Sequence, residues 1–203
     1  MKKTILLLLA VAFTFSSCEK DDICDANTPT TPRLVIGFYD FLNPSVLKNV
    51  SNLKVVGEGM TNGILFNGNQ TTNGNTISIP LKTVGTTTTY SFTLNSGNTN
   101  PALVDEDIIK FDYTTRELFV SRACGYKTIF TLNPTNPYTH TDPMAPNQKW
   151  IKFISVEKSN IENENETHIK IFFYFLSPFI VDFGTRTRDD ESKKQISKSS
   201  RIG

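Results

Sequence analysis

Apolar residues recur at every second position through most of this chain, the period of a strand with one face buried. Residues Arg33 to Tyr39 place Leu34, Ile36 and Phe38 on one face. Leu53 to Val56 reads as a second strand and Ile64 to Phe66 as a short third, separated by the turn chemistry of Gly57, Gly59 and Asn62-Gly63. Thr76 to Lys82 points Ile77, Ile79 and Leu81 inward, with Pro80 on the opposite face. Proline has no amide to donate, so this strand is expected at a sheet edge. Beyond a turn at Thr83 to Thr86, Tyr90, Phe92 and Leu94 alternate with Ser91 and Thr93, and the two strands are expected to pair as a hairpin.

Ile109, Phe111 and Tyr113 continue the alternation. A turn at Thr114 to Glu117 is expected to lead into Leu118 to Ala123 and then Thr128 to Leu132, forming a second hairpin. Trp150 to Glu157 and His168 to Leu176 make the last pair, with Ser159 to Glu166 (SNIENENE) as its exposed polar tip. No segment carries a sustained 3.6-residue apolar repeat. Short strands separated by Gly and Asn turns predict an all-β domain: an antiparallel β-sandwich or partly open barrel, Ig-like in general architecture.

The N-terminus follows a different logic. Lys2 and Lys3 precede an apolar run from Ile5 to Phe15, then Ser16, Ser17 and Cys18. The run is about eleven residues, against roughly twenty for a membrane-spanning helix, so residues 1–17 read as a secretory signal peptide. Small residues before a cysteine resemble the lipobox of bacterial lipoproteins, although Phe15 stands where that pattern prefers Leu. The resemblance implies that Cys18 is acylated and becomes the new N-terminus. The alternative is an ordinary signal cut nearby that leaves Cys18 a thiol. Glu19, Lys20, Asp21 and Asp22 resemble the acidic export signal for the outer face of the outer membrane, and they equally fit a solvated spacer facing the periplasm.

Removing the signal leaves about 185 residues, enough for one domain with a real core. Residues 18–32 are then anchor and linker, the Pro- and Thr-rich DANTPTTP of Asp25 to Pro32 being unable to enter a helix. The β-domain is expected over 33–183. Residues 184–203 are charged, Ser-rich and nearly free of large apolar side chains, so they read as a disordered tail. Net charge is +1 for the whole chain and about minus one without Lys2 and Lys3, which supplies no basic field for phosphate backbones and excludes nucleic acid as an expected partner.

If Cys18 carries lipid, Cys24 and Cys124 remain as a pair in an oxidising compartment, and a disulfide is the natural inference. Two unpaired thiols are the alternative, and geometry decides between them. A catalytic thiol would need a neighbouring His140 or His168.

Asp22 to Cys24 with Thr28 to Tyr39 (DIC, TPTTPRLVIGFYD), Leu53 to Met60 (LKVVGEGM) and Val120 to Leu132 (VSRACGYKTIFTL) together resemble an uncharacterised family of Bacteroidota lipoproteins. The resemblance covers about residues 18 to 173. It implies a lipid anchor, a β-rich domain, both Cys24 and Cys124 as part of the pattern, and no assigned activity.

The remaining candidates for chemistry are few. Gly57, Gly59 and Gly63 (GEGMTNG) lack the following helix that a phosphate loop needs, so they are assigned to turns. Glu157, Glu162, Glu164 and Glu166 lack the converging turn of an oxygen-ligand loop and read as a solvated tip. The Pro-stiffened segment Asn133 to Lys149 is the candidate binding loop, displaying Tyr138, His140, Asp142 and Met144. It equally fits a cover over one end of the sandwich, with Tyr138 and Trp150 filling core. His140 and Asp142 alone are too few for a metal site, so neither metal nor cofactor is expected. Arg122 beside Cys124 is expected to be buried and paired with a carboxylate.

Three functions remain in contention. The first is a lipid-anchored, non-catalytic envelope module that binds a protein or glycan. The second is a hydrolase of envelope polymers, for which no catalytic residues can be located. The third is a structural scaffold of the outer membrane. All three share the membrane, reached through the lipid, and face either the cell surface or the periplasm.

Overall fold

The computed structural model describes residues 23–25, 28, 30–143 and 149–174. Residues 1–17, expected to be a signal peptide, Cys18, the run Glu19 to Asp22, Met144 and residues 184–203, expected to be a disordered tail, lie outside the described residues.

Among the described residues, ten strands form two facing sheets that do not close into a barrel. They are β1 (Leu34–Asp40), β2 (Lys54–Gly57), β3 (Thr76–Ile79), β4 (Thr87–Leu94), β5 (Asp105–Ser121), β6 (Gly125–Leu132), β7 (Tyr138–Thr141), β8 (Ile151–Val156), β9 (Asn160–Ile161) and β10 (Ile169–Phe173). One sheet runs β3-β1-β10-β8 and the other β2-β4-β5-β6-β9, with β7 also paired to β5. The fold is an all-β sandwich, and the inward positions read from the alternation are its core. Leu34, Ile36 and Phe38 face Phe92, Ile109 and Phe111 with no exposed surface on any of the six. Pairing is antiparallel except between β1 and β10, which run parallel in register Ile36 to Ile169.

Several expected connections are corrected. β3 does sit at a sheet edge, but it pairs with β1, whereas β4 pairs with β2 and β5 in the opposite sheet. The segment between β3 and β4 is therefore an arch across the sandwich and not a hairpin turn. Its carbonyls are captured by core tyrosines: Tyr90 Oη donates to Pro80 O, and Tyr113 Oη donates to Lys82 O at 2.9 Å.

No turn interrupts β5 at Thr114 to Glu117. The strand runs on for 17 residues. Its first part pairs with β4 and β7, and its second part pairs with β6 in a hairpin whose tip is residues 122–124. Arg122 is exposed at that tip and not buried as expected. Residues 64–66 form no strand; Phe66 makes only an isolated bridge to Asn69.

The β8–β10 pair forms as expected. The segment between them is not simply an exposed tip, because Asn160–Ile161 crosses to pair with β6 and buries Ile161 completely.

Candidate functional site

The inward face of β5 changes character at its N-terminal end. Tyr113, Phe111 and Ile109 are buried apolar side chains, and the same two-residue period continues into Asp107 and Asp105. Two carboxylates thus occupy positions that the strand's geometry aims at the core. Neighbouring β7 matches them: Tyr138 pairs with Phe111 and His140 with Ile109, so the next step of the alternation brings Asp142 alongside Asp107.

Carboxylate oxygens of Asp105, Asp107 and Asp142 consequently lie within 4.8 Å of one another. Asp107 has no exposed surface. Its Oδ2 accepts the Ile151 amide from the facing sheet at 2.8 Å and lies 3.1 Å from His140 Nε2. Its Oδ1 is buried and has no hydrogen-bond partner among the described residues. Burial, reinforced by the Asp107 and Asp142 charges, pushes the Asp105 carboxyl up to about 6; the Lys152 ammonium acts in the opposite sense.

Asp105 also borders a shallow pocket of about 100 Å³, whose wall includes Leu103, Trp150, Lys152 and Tyr174. Trp150 is anchored there by its Nε1 donating to Phe92 O at 3.0 Å, and Lys152 Nζ stands over the Tyr174 ring. A full ligand pocket usually measures several hundred Å³. This one suits an ion or a single protruding group better than a whole sugar ring or peptide.

The candidate loop is thereby divided. His140 and Asp142 enter the acidic cluster. Tyr138 is half-buried and donates its hydroxyl to Ile154 O at 2.9 Å, the behaviour of a cover over the core. Met144 lies outside the described residues. Asp105 and Asp107 went unnoticed in the sequence, although two acids continuing an inward-facing apolar alternation were the available signal.

Cys24 and Cys124 form a disulfide with Cα atoms 4.9 Å apart, which removes the catalytic-thiol alternative for both. The arm after Cys24 is held to β6 by the Thr128 amide donating to Thr31 Oγ1 at 3.0 Å. His168 is wholly buried, with Nδ1 accepting the Val35 amide at 3.0 Å. Burial holds its imidazole below the ordinary value despite Glu166 and Glu164 nearby.

Glu157, Glu162 and Glu166 line one open pocket, but each of the four glutamates is paired with its own cation. Glu157 contacts Lys170, Glu162 contacts Arg116, Glu164 contacts Arg33 and Glu166 contacts Lys158. Of the three glycines assigned to turns, Gly59 has the positive φ of 80°, while Gly57 ends β2.

Among known proteins, residues 52–173 match a family model described as a family of unknown function. No curated protein and no solved structure matches the chain.

Proposed function

Since the chain belongs to this family of unknown function, DUF6452, we propose a role from where its site lies relative to its anchor. The protein is a lipid-anchored envelope module of Bacteroidota type, exported by residues 1–17 and acylated at Cys18. It is held at the outer membrane and binds an envelope protein or glycan without chemistry.

The observation that carries this reading is the span of β5. Its C-terminal end leads into the tip bridged to Cys24, six residues after Cys18, while its N-terminal end carries Asp105 and Asp107. At about 3.3 Å per residue, a 17-residue strand covers up to roughly 55 Å. A tether at one end of such a strand leaves the acidic end facing away from the membrane, where a partner has access. The disulfide supports export, since such bonds persist in oxidising compartments.

A hydrolase is the second reading, favoured by one observation: adjacent carboxylates, one of them raised to about 6. The shallow pocket and the complete burial of Asp107 weigh against it.

The test is intact-mass analysis of protein purified from membranes, followed by photo-crosslinking from position 103 in the native envelope. Expected are a chain beginning at an acylated Cys18 and one stoichiometric crosslinked partner. A chain retaining Met1, or one lacking acyl groups, overturns the anchor. Cleavage of an envelope polymer that disappears in Asp105→Asn overturns the non-catalytic reading.

A further inference from the structure

Three carboxylates converge at the end of an apolar core, Asp107 fully buried and Asp105 and Asp142 partly exposed, so they sit together where water screens charge less than at an open surface. The neighbouring lysine ammonium groups already have acceptors: Lys149 Nζ donates to His140 O at 2.7 Å, and Lys152 Nζ donates to Lys149 O. His140 Nε2 lies 3.1 Å from Asp107 Oδ2 but makes no hydrogen bond among the described residues. Asp105 and Asp142 also make other contacts within the protein, so the unmet capacity lies with Asp107. Its Oδ2 has two neighbours; its buried Oδ1 has no hydrogen-bond partner among the described residues. A buried carboxylate oxygen ordinarily has a partner, and here the adjacent groups are two further carboxylates, which repel each other unless a cation or proton lies between them.

We propose that Asp105, Asp107 and Asp142 bind a divalent cation of the Ca2+ class at the β5–β7 end of the sandwich. The donor set decides the class. It consists of hard carboxylate oxygens, and among the described residues a single imidazole, His140, stands beside them, so the nitrogen- or sulfur-rich sphere of zinc is lacking. Oxygens sharing a Ca2+ at 2.3–2.6 Å lie within roughly 5 Å of one another, as these do at 4.8 Å or less. Calcium also tolerates the irregular geometry that two strand positions and a loop residue impose, whereas magnesium demands a near-ideal octahedron. The ion would join β5 to the segment after β7 beside the Ile151 amide of the opposite sheet. It stands independently of the membrane anchor, so failure of either reading leaves the other in place.

Terbium serves as the probe, because Trp150, the single tryptophan, precedes the residue bonded to Asp107 and can sensitise lanthanide emission. Full-length protein is stripped with chelator and titrated with Tb3+ under excitation of Trp150, then back-titrated with Ca2+. Sensitised emission is expected, with Ca2+ displacing the probe in the range of about 10⁻⁵ to 10⁻³ M. Asp107 variants also lose the Ile151 contact, so Asp142→Asn is the diagnostic change. It weakens both ions at least tenfold while leaving the circular dichroism spectrum and chelated melting temperature at or above wild type. Asp112→Asn, remote from the cluster and paired with Lys110, titrates like wild type. Three results each overturn the proposal: no emission from folded protein up to millimolar ion, equal titration of Asp142→Asn and wild type, or displacement by Zn2+ but not Ca2+.

Discussion

Asp107 of β5 and Ile151 of β8 are joined across the two sheets by a 2.8 Å hydrogen bond from the Ile151 amide to the carboxylate Oδ2. Most inter-sheet contact in a sandwich is apolar packing, so a buried polar bond fixes the local register of the two sheets where packing alone is permissive.

That bond predicts an asymmetry between two substitutions. Asp107→Ala leaves the Ile151 amide buried without its acceptor, and such a group costs about 1–3 kcal/mol. Asp107→Asn keeps an acceptor oxygen and removes a charge repelled by Asp105 and Asp142. In chelated protein, urea unfolding is expected to show a loss of about 2 kcal/mol for Asp107→Ala and a clearly smaller one for Asp107→Asn. Equal losses would mean that the Ile151 contact contributes little.

The bridge between Cys24 and Cys124 closes a loop of sequence separation 100. Chain-entropy reasoning sets an upper value of about 4.7 kcal/mol for such a loop, and native disulfides usually contribute 2–4. Replacing both cysteines by serine should lower stability by about 2–4 kcal/mol, and reductant should lower the wild-type midpoint to meet the variant's. A midpoint indifferent to reductant would contradict this.

His168 predicts acid sensitivity. Burial holds its folded pKa below the ordinary 6.5, so between those two values the unfolded chain binds a proton that the folded one refuses. Its contribution is therefore complete above pH of about 6.5 and declines as pH falls toward the folded value. His168→Asn retains an acceptor for the Val35 amide without a titrating ring. Subtracting its pH–stability curve from that of wild type should leave a slope confined to the region below about 6.5. A flat difference would refute the assignment.

The arch between β3 and β4 rests on Tyr113, whose hydroxyl contacts Lys82 O at 2.9 Å and Thr88 Oγ1 at 2.6 Å. Tyr113→Phe should cost about 1 kcal/mol and speed amide hydrogen exchange in residues 80–86 more than elsewhere. Uniform acceleration along the chain would show that the hydroxyl does not hold the arch.

Alternation of apolar and polar residues by itself determined the β class and the inward faces of β1, β3, β4 and β5, because side-chain direction along a strand is a local property with period two; the missing amide of Pro80 added the edge position of β3. The same pattern is blind to which sheet a strand joins. Ile77 and Ile79 would face a core whether the next turn made a hairpin or an arch, and only the pairing of β3 with β1 decided that. The length of β5 was hidden for a related reason: Thr114 to Glu117 look like turn residues in isolation, yet their backbone groups are satisfied by β6. Asp105, Asp107 and Asp142 are separated by up to 37 positions along the chain and come together through the β5–β7 register. Convergence of like charges is a long-range event, and tertiary pairing alone supplies it.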